Sequence, residues 1–195
     1  MVARTSRKRR TGRGDERQLL LRHREGDPEA FAALVEEYRA PVYSYLARCG
    51  VDAAERDDVF QEIFLRIHGA AARYQAERPV HPWIFTIVSN TARSYLRKRR
   101  VRQLVFAEPD GRDPPDPRPD GERRAAARER VEVLEGEIRK LPLMQREVVL
   151  LAGVEKLALK EVGEVLGIPV NTVKTHLRRA RLALARALGP GSPTP

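Results

Sequence analysis

The sequence predicts an all-α protein: two small helical domains joined by a flexible Pro/Gly-rich linker, the C-terminal one a helix-turn-helix. Three observations predict it. From Asp15 to Arg102 apolar residues recur at helical spacing, with no convincing strand alternation. Between Glu108 and Gly121 the chain reads EPDGRDPPDPRPDG, whose proline, glycine and charge forbid helix and leave no apolar face to bury. From Leu159 to Ala180 it reads LKEVGEVLGIPVNTVKTHLRRA: a short helix, a glycine turn and a cationic second helix. The expected divisions are a basic disordered tail over 1–14, a first helical domain over 15–103, a linker over 104–126, a second domain over 127–189 and a frayed tail over 190–195.

Each element has a local cause. Leu19 and Leu20 lie in a short first helix ending near Gly26. Asp27-Pro28-Glu29 opens the second helix with an N-cap, a proline at the first turn and an acid. Phe31, Leu34, Val35, Tyr38, Val42 and Leu46 follow on one face, and Pro41 is expected to kink or divide this helix. Asp52 with Glu55 reads as a capping box before a helix that buries Val59, Phe60, Ile63, Phe64 and Ile67. Residues Gly69 to Pro82 read as a loop, and His81-Pro82-Trp83 starts the next helix. After the linker, Val131, Leu134, Ile138 and Leu141 restore helical periodicity. Helices are then expected over about Pro142 to Ala152, Leu159 to Leu166 and Val170 to Leu188.

Composition narrows the partner. The 195 residues carry 37 Lys and Arg against 27 Asp and Glu, a formal charge of +10, with a pI near 10.3. Such an excess points to a polyanion. No apolar run reaches the roughly 18–20 residues of a spanning helix, and MVARTSRKRRTGRG lacks a signal peptide's apolar core, so nucleic acid is favoured over membrane insertion. The single Cys49 excludes an intrachain disulfide and makes the cytoplasm the expected compartment. His23, His68, His81 and His176 share no ligand spacing, so no metal or cofactor is expected.

Three segments carry chemistry. The helix WIFTIVSNTARSYLRKRR is apolar at its start. From Arg93 to Arg102 it bears Arg93, Arg97, Lys98, Arg99, Arg100 and Arg102 with no acid. Ile84, Ile87, Val88, Ala92 and Tyr95 should pack inward, leaving Thr86, Asn90, Arg93, Arg97 and Arg100 along one side. The preceding helix contains DDVFQEIFLRI, and from Asp52 to Glu62 there are five acids against one base. An acidic patch on a basic chain suits a basic protein partner better than DNA. The last helix should bury Val170, Val173, Leu177, Ala180 and Leu184 and show Asn171, Lys174, Thr175, Arg178 and Arg179. Short polar groups near its N-terminus suit base edges, and the cations suit phosphates and guanine. Gly163 is a local cost, since alanine would favour helix there by roughly 1 kcal/mol; close packing against the recognition helix is the expected reason.

In combination and order these segments resemble the bacterial RNA polymerase sigma factors of the sigma-70 family, specifically the extracytoplasmic-function (ECF) group. The resemblance spans about Leu19 to Arg100 and Leu141 to Leu188. It implies that Asp58, Gln61 and Glu62 meet the clamp helices of the polymerase's largest subunit. It implies that Asn90, Arg93, Ser94 and Arg97, with His81 beside them, read and melt the minus-10 element. Asn171, Lys174, Thr175, Arg178 and Arg179 would read the minus-35 element, in a domain that also touches the polymerase flap. Asn171 replaces a glycine usual in the family and is read as a cap; His176 and Gly163 stand where arginine and alanine are common.

The implied partners are core RNA polymerase, double- and single-stranded promoter DNA and an anti-sigma factor. The implied location is cytoplasmic, with the nucleoid when polymerase is bound. A stand-alone helix-turn-helix regulator is the alternative, and it would not need the DDVFQE helix. No phosphate-binding glycine loop, nucleophile motif or metal-carboxylate signature is present, so no enzyme activity and no catalytic residue are expected.

Overall fold

A computed structural model describes residues 13–106 and 132–188. Both expected tails up to residue 12 and from 189 onward, and the linker Glu108 to Gly121, lie outside the described residues. Within them every regular element is helical: α1 (Arg13–Arg24), α2 (Pro28–Cys49), a 3₁₀ turn (Ala53–Glu55), α3 (Arg56–Ala71) and α4 (Val80–Phe106). A helix over 132–140, α5, follows, then α6 (Leu143–Val149), a π-helical turn (Leu150–Val154), α7 (Leu159–Leu166) and α8 (Val170–Leu188).

The local signals act mostly as read. Asp27 caps α2, accepting from the N–H groups of Glu29 and Ala30 with Pro28 in the first turn. Three expectations are corrected. Pro41 does not divide α2, which runs unbroken to Cys49. Its missing N–H removes one bond of many, while Tyr38, Val42, Tyr45 and Leu46, all buried, hold both sides of it to the core. Asp52 makes no capping bond to the turn it precedes; its carboxylate pairs with Arg99 of α4 at 2.9 Å. The expected loop from Gly69 to Pro82 shrinks to residues 72–79, because α3 continues to Ala71 and α4 starts at Val80.

Leu34, Leu46, Ile63, Ile67, Ile84, Phe85 and Val88, each fully buried, form the N-terminal core. Aromatic pairs fix its geometry: Tyr45 meets Phe85 edge-on at 5.6 Å and Phe60 leans on Phe64 at 4.7 Å. That core continues without a break into Leu150, Leu151, Val162, Val173 and Leu184 of the C-terminal helices. α4 packs against α7 and α2 against α6. The two modules are therefore in contact along a seam, which the sequence did not suggest.

Candidate nucleic-acid interface

The helix-turn-helix is set by two glycines. Gly167 ends α7 in the left-handed region at φ 67°, and its N–H returns to the Gly163 carbonyl. A Cβ on Gly163 would stand 2.8 Å from the Ile168 carbonyl oxygen, and 3.7 Å from both the Val170 nitrogen and Val173 Cγ2. Close approach of the turn to α7 is thus the reason for this glycine, rather than the expected packing against the recognition helix, whose Val170 and Val173 stand at ordinary contact distance. Val173, Ala180 and Leu184 are buried behind α8, Leu177 is half-buried, and Val170 is 38% exposed rather than core.

On the opposite side Asn171, Lys174, Thr175, Arg178 and Arg179 are all exposed, so the five expected residues share one face. Asn171 is not the cap. The N–H groups of Thr172 and Val173 both donate to the Pro169 carbonyl, placing the helix start before Asn171. The Asn171 carbonyl instead accepts the Thr175 hydroxyl at 2.9 Å. Thr175 therefore offers an outside partner its acceptor lone pairs.

α4 carries the second cationic face. Asn90 and Arg97 are exposed, and Arg93 and Ser94 are half-buried. Arg93 donates to Asn90 Oδ1 at 2.9 Å. Two further arginines of the run are tied internally, Arg99 to Asp52 at 2.9 Å and Arg102 to Glu55 at 3.5 Å. Two acids assigned to a docking patch by composition thus brace α4 against the 3₁₀ turn that precedes α3. His81 lies one helix end away, ~13 Å of rise from Asn90, and its Nδ1 is 3.1 Å from the Tyr38 hydroxyl. The neighbouring Trp83 packs on Tyr74 at 5.0 Å, closing the short loop.

On α3, Asp58 and Gln61 are exposed and Glu62 is half-buried. Glu62 holds Arg66 at 2.6 Å, and Asp57 accepts the Tyr43 hydroxyl at 2.6 Å. Leu65 continues the same face at 72% exposure.

One cluster went unseen in the sequence. Glu147 of α6 is fully buried. Its Oε1 accepts from Ser89 Oγ at 2.7 Å and from the Tyr45 hydroxyl at 3.2 Å, with Arg93 Nε at 3.5 Å. Its Oε2 is buried and accepts no hydrogen bond from the described residues. Burial raises its carboxyl pKa against the opposing pull of Ser89, Arg93, Tyr45 and Arg146. Burial likewise pushes the Tyr45 hydroxyl and the Cys49 thiol up, so both stay neutral. The signal available was one acid directly before the apolar run VVLL. Among the described residues no three His, Cys, Asp or Glu side chains converge to hold a metal, and no helix is long and apolar enough to cross a membrane.

Comparison with known proteins places this geometry. The Sigma-70 region 2 model matches residues 34–102 and the Sigma-70, region 4 model matches 132–184. The ECF RNA polymerase sigma factor SigW of Bacillus subtilis is 31% identical over 179 residues, covering 85% of this chain and 92% of that protein. The RNA polymerase sigma-H factor of Pseudomonas aeruginosa is 30% identical over 187 residues, covering 90% and 94%. Among solved structures, CnrH in complex with the cytosolic domain of CnrY superposes with a TM-score of 0.66 at 26% identity, covering 91% of this chain and 99% of that one. With these matches over both modules, the chain belongs to the sigma-70 family as an ECF sigma factor, a protein that binds core RNA polymerase and recognises promoter DNA.

Proposed function

We propose that the three exposed faces divide the work of initiation. Asp58, Gln61 and Glu62, with Leu65 beside them, dock α3 on the clamp helices of the polymerase's largest subunit. Asn90, Arg93, Ser94 and Arg97 on α4, with His81, read the minus-10 element and favour its melting. Asn171, Lys174, Thr175, Arg178 and Arg179 on α8 read the minus-35 element as duplex. The observation that carries this reading is α8, where all five residues are exposed on one side while Val173, Ala180 and Leu184 are buried on the other. Such a helix fits the major groove, with cations reaching phosphates and guanine edges.

Melting needs no ATP on this account. Extruding a base costs a few kcal/mol, and contacts available only to the single strand offset that cost. The two modules are tethered by the chain between α4 and α5, so the second encounter with DNA is effectively intramolecular. CnrH is solved with the cytosolic domain of CnrY, and a protein partner that restrains this chain is proposed by that likeness. The protein acts in the cytoplasm, at the nucleoid once polymerase is bound. Run-off transcription with purified core polymerase on genomic promoter fragments tests the assignment. Starts that depend on this chain, and that vanish with Gln61→Ala/Glu62→Ala, are expected; starts that persist with both changes would overturn the docking role.

A further inference from the structure

His23 and His68 stand far apart in the sequence and share no ligand spacing, but the fold sets them side by side. α1 packs directly on α3, and the two imidazoles meet with ring centroids 4.9 Å apart and planes at 47°. Phe31 of α2 touches both, stacked on His23 at 4.5 Å and edge-on to His68 at 5.4 Å. Phe31 in turn meets the buried Phe64 edge-on at 6.3 Å, so the pair stands on the core of the first module. No described residue hydrogen-bonds a ring nitrogen of either histidine. His23 is half-buried and His68 is exposed, which leaves the pair open to solvent.

We propose that His23 and His68 form a two-histidine site for one divalent late first-row transition-metal ion, which staples α1 to α3. The distance between the rings is the first argument. With metal–nitrogen bonds of about 2.1 Å and each centroid about 1.1 Å behind its nitrogen, rings 4.9 Å apart subtend about 100° at a shared ion. That angle lies between the octahedral and tetrahedral values, so both helices can stay where they are. Position is the second argument. Both residues lie in the last turn of their helices, where the carbonyl ends of two dipoles favour a cation. The neighbouring cations are turned elsewhere, Arg22 onto Asp27 at 2.5 Å and Arg24 onto the Tyr74 carbonyl at 3.3 Å. A metal needs the neutral imidazole, and burial and then His68 lower the His23 pKa toward that form.

The donor set decides the class of ion. Imidazole suits zinc, copper and nickel, whereas magnesium and calcium take oxygen ligands. Among the described residues no third His, Cys, Asp or Glu joins the pair, so water fills the remaining positions. Such a site is exchangeable, unlike a structural centre with four protein ligands. An ion that favours the folded arrangement links the stability of the first module to the supply of transition metal. The site rests on neither the docking nor the promoter assignments above.

The test uses the full chain. Isothermal titration calorimetry with ZnCl₂ gives the dissociation constant, and no detectable binding overturns the site. Thermal melting then follows with ZnCl₂, NiCl₂ and MgCl₂. With zinc or nickel at roughly ten times the dissociation constant, the melting temperature should rise by about 3–6 °C. Magnesium should not move it. His68→Ala, at an exposed position, and His23→Phe, which keeps a ring against Phe31, should each remove the zinc shift. With one equivalent of Cu²⁺, electron spin-echo modulation should count two imidazoles on the metal in the unsubstituted chain and fewer in either variant. Equal zinc shifts with and without His68 overturn the site, as does a two-imidazole copper centre that survives His68→Ala. If His23→Phe fails to fold, His68→Ala decides alone.

Discussion

The Ser89 hydroxyl donates to Glu147 Oε1 at 2.7 Å, joining the centre of α4 to the centre of α6 across 58 residues of sequence. That bond sits in a fully buried site, so both partners have given up water to make it. It joins the two modules directly.

The Glu147 carboxyl makes this coupling pH-dependent. Its pKa is raised in the closed state, chiefly by burial, and returns to the ordinary value near 4.3 when opening exposes it to water. The closed state thus binds the proton more tightly. Closure is fully favoured below the ordinary value and is lost as pH rises through the raised one. The facing groups are Tyr45 and Cys49 on α2, Arg93 on α4 and Arg146 on α6. His81 faces Glu155 across the same seam, so the experiment is run in a His81→Gln background. The radius of gyration should fall as pH is lowered toward the ordinary carboxyl value, and Glu147→Gln should abolish that change.

Gly163→Ala should destabilise the protein despite alanine's helix propensity. The new methyl meets the Ile168 carbonyl oxygen at 2.8 Å, and overpacking of this kind costs about 1–3 kcal/mol against roughly 1 kcal/mol gained in propensity. A lowered denaturant midpoint with unchanged m-value is expected. A raised midpoint would show that the turn can retreat at little cost.

Leu65→Asp should weaken polymerase binding without lowering the melting temperature. The side chain is 72% exposed and contributes little to the core, so its loss is felt only where a partner covers it. Surface-plasmon binding to core polymerase beside thermal melting of the free chain separates the two effects.

Arg178→Ala and Lys174→Ala should differ in kind. If Arg178 forks onto a guanine, its loss costs about 1–3 kcal/mol on the preferred minus-35 sequence and relaxes specificity there. Lys174, acting on a phosphate, should weaken all duplexes alike and reduce the salt slope by about one. Titrations at several salt concentrations on two unrelated duplexes distinguish them.

Much of this protein is local in origin and was legible as such. The helical stripes of α2, α3 and α4, the Asp27 cap and the Gly167 turn follow from spacing and side-chain type, and the five outward residues of α8 follow from its buried stripe. Boundaries moved where tertiary contact outweighed a local signal. Pro41 stayed inside a helix held on both sides by core residues. Asp52 left its capping role for Arg99, since a half-buried guanidinium offers a carboxylate more than an exposed N–H. Periodicity assigns a residue to a face, but it carries no information about which face meets which.

By itself the sequence determined that the chain is helical, basic and divided, and which residues each helix turns outward. These are consequences of propensity, period and charge within a few turns. Only the tertiary structure decided that the modules close on one another, that Arg99 and Arg102 brace the fold, and that Glu147 is buried between Ser89, Tyr45 and Arg93. Those facts depend on groups 47 to 102 residues apart. Their pairing is chosen by packing and desolvation, which no local window of sequence records.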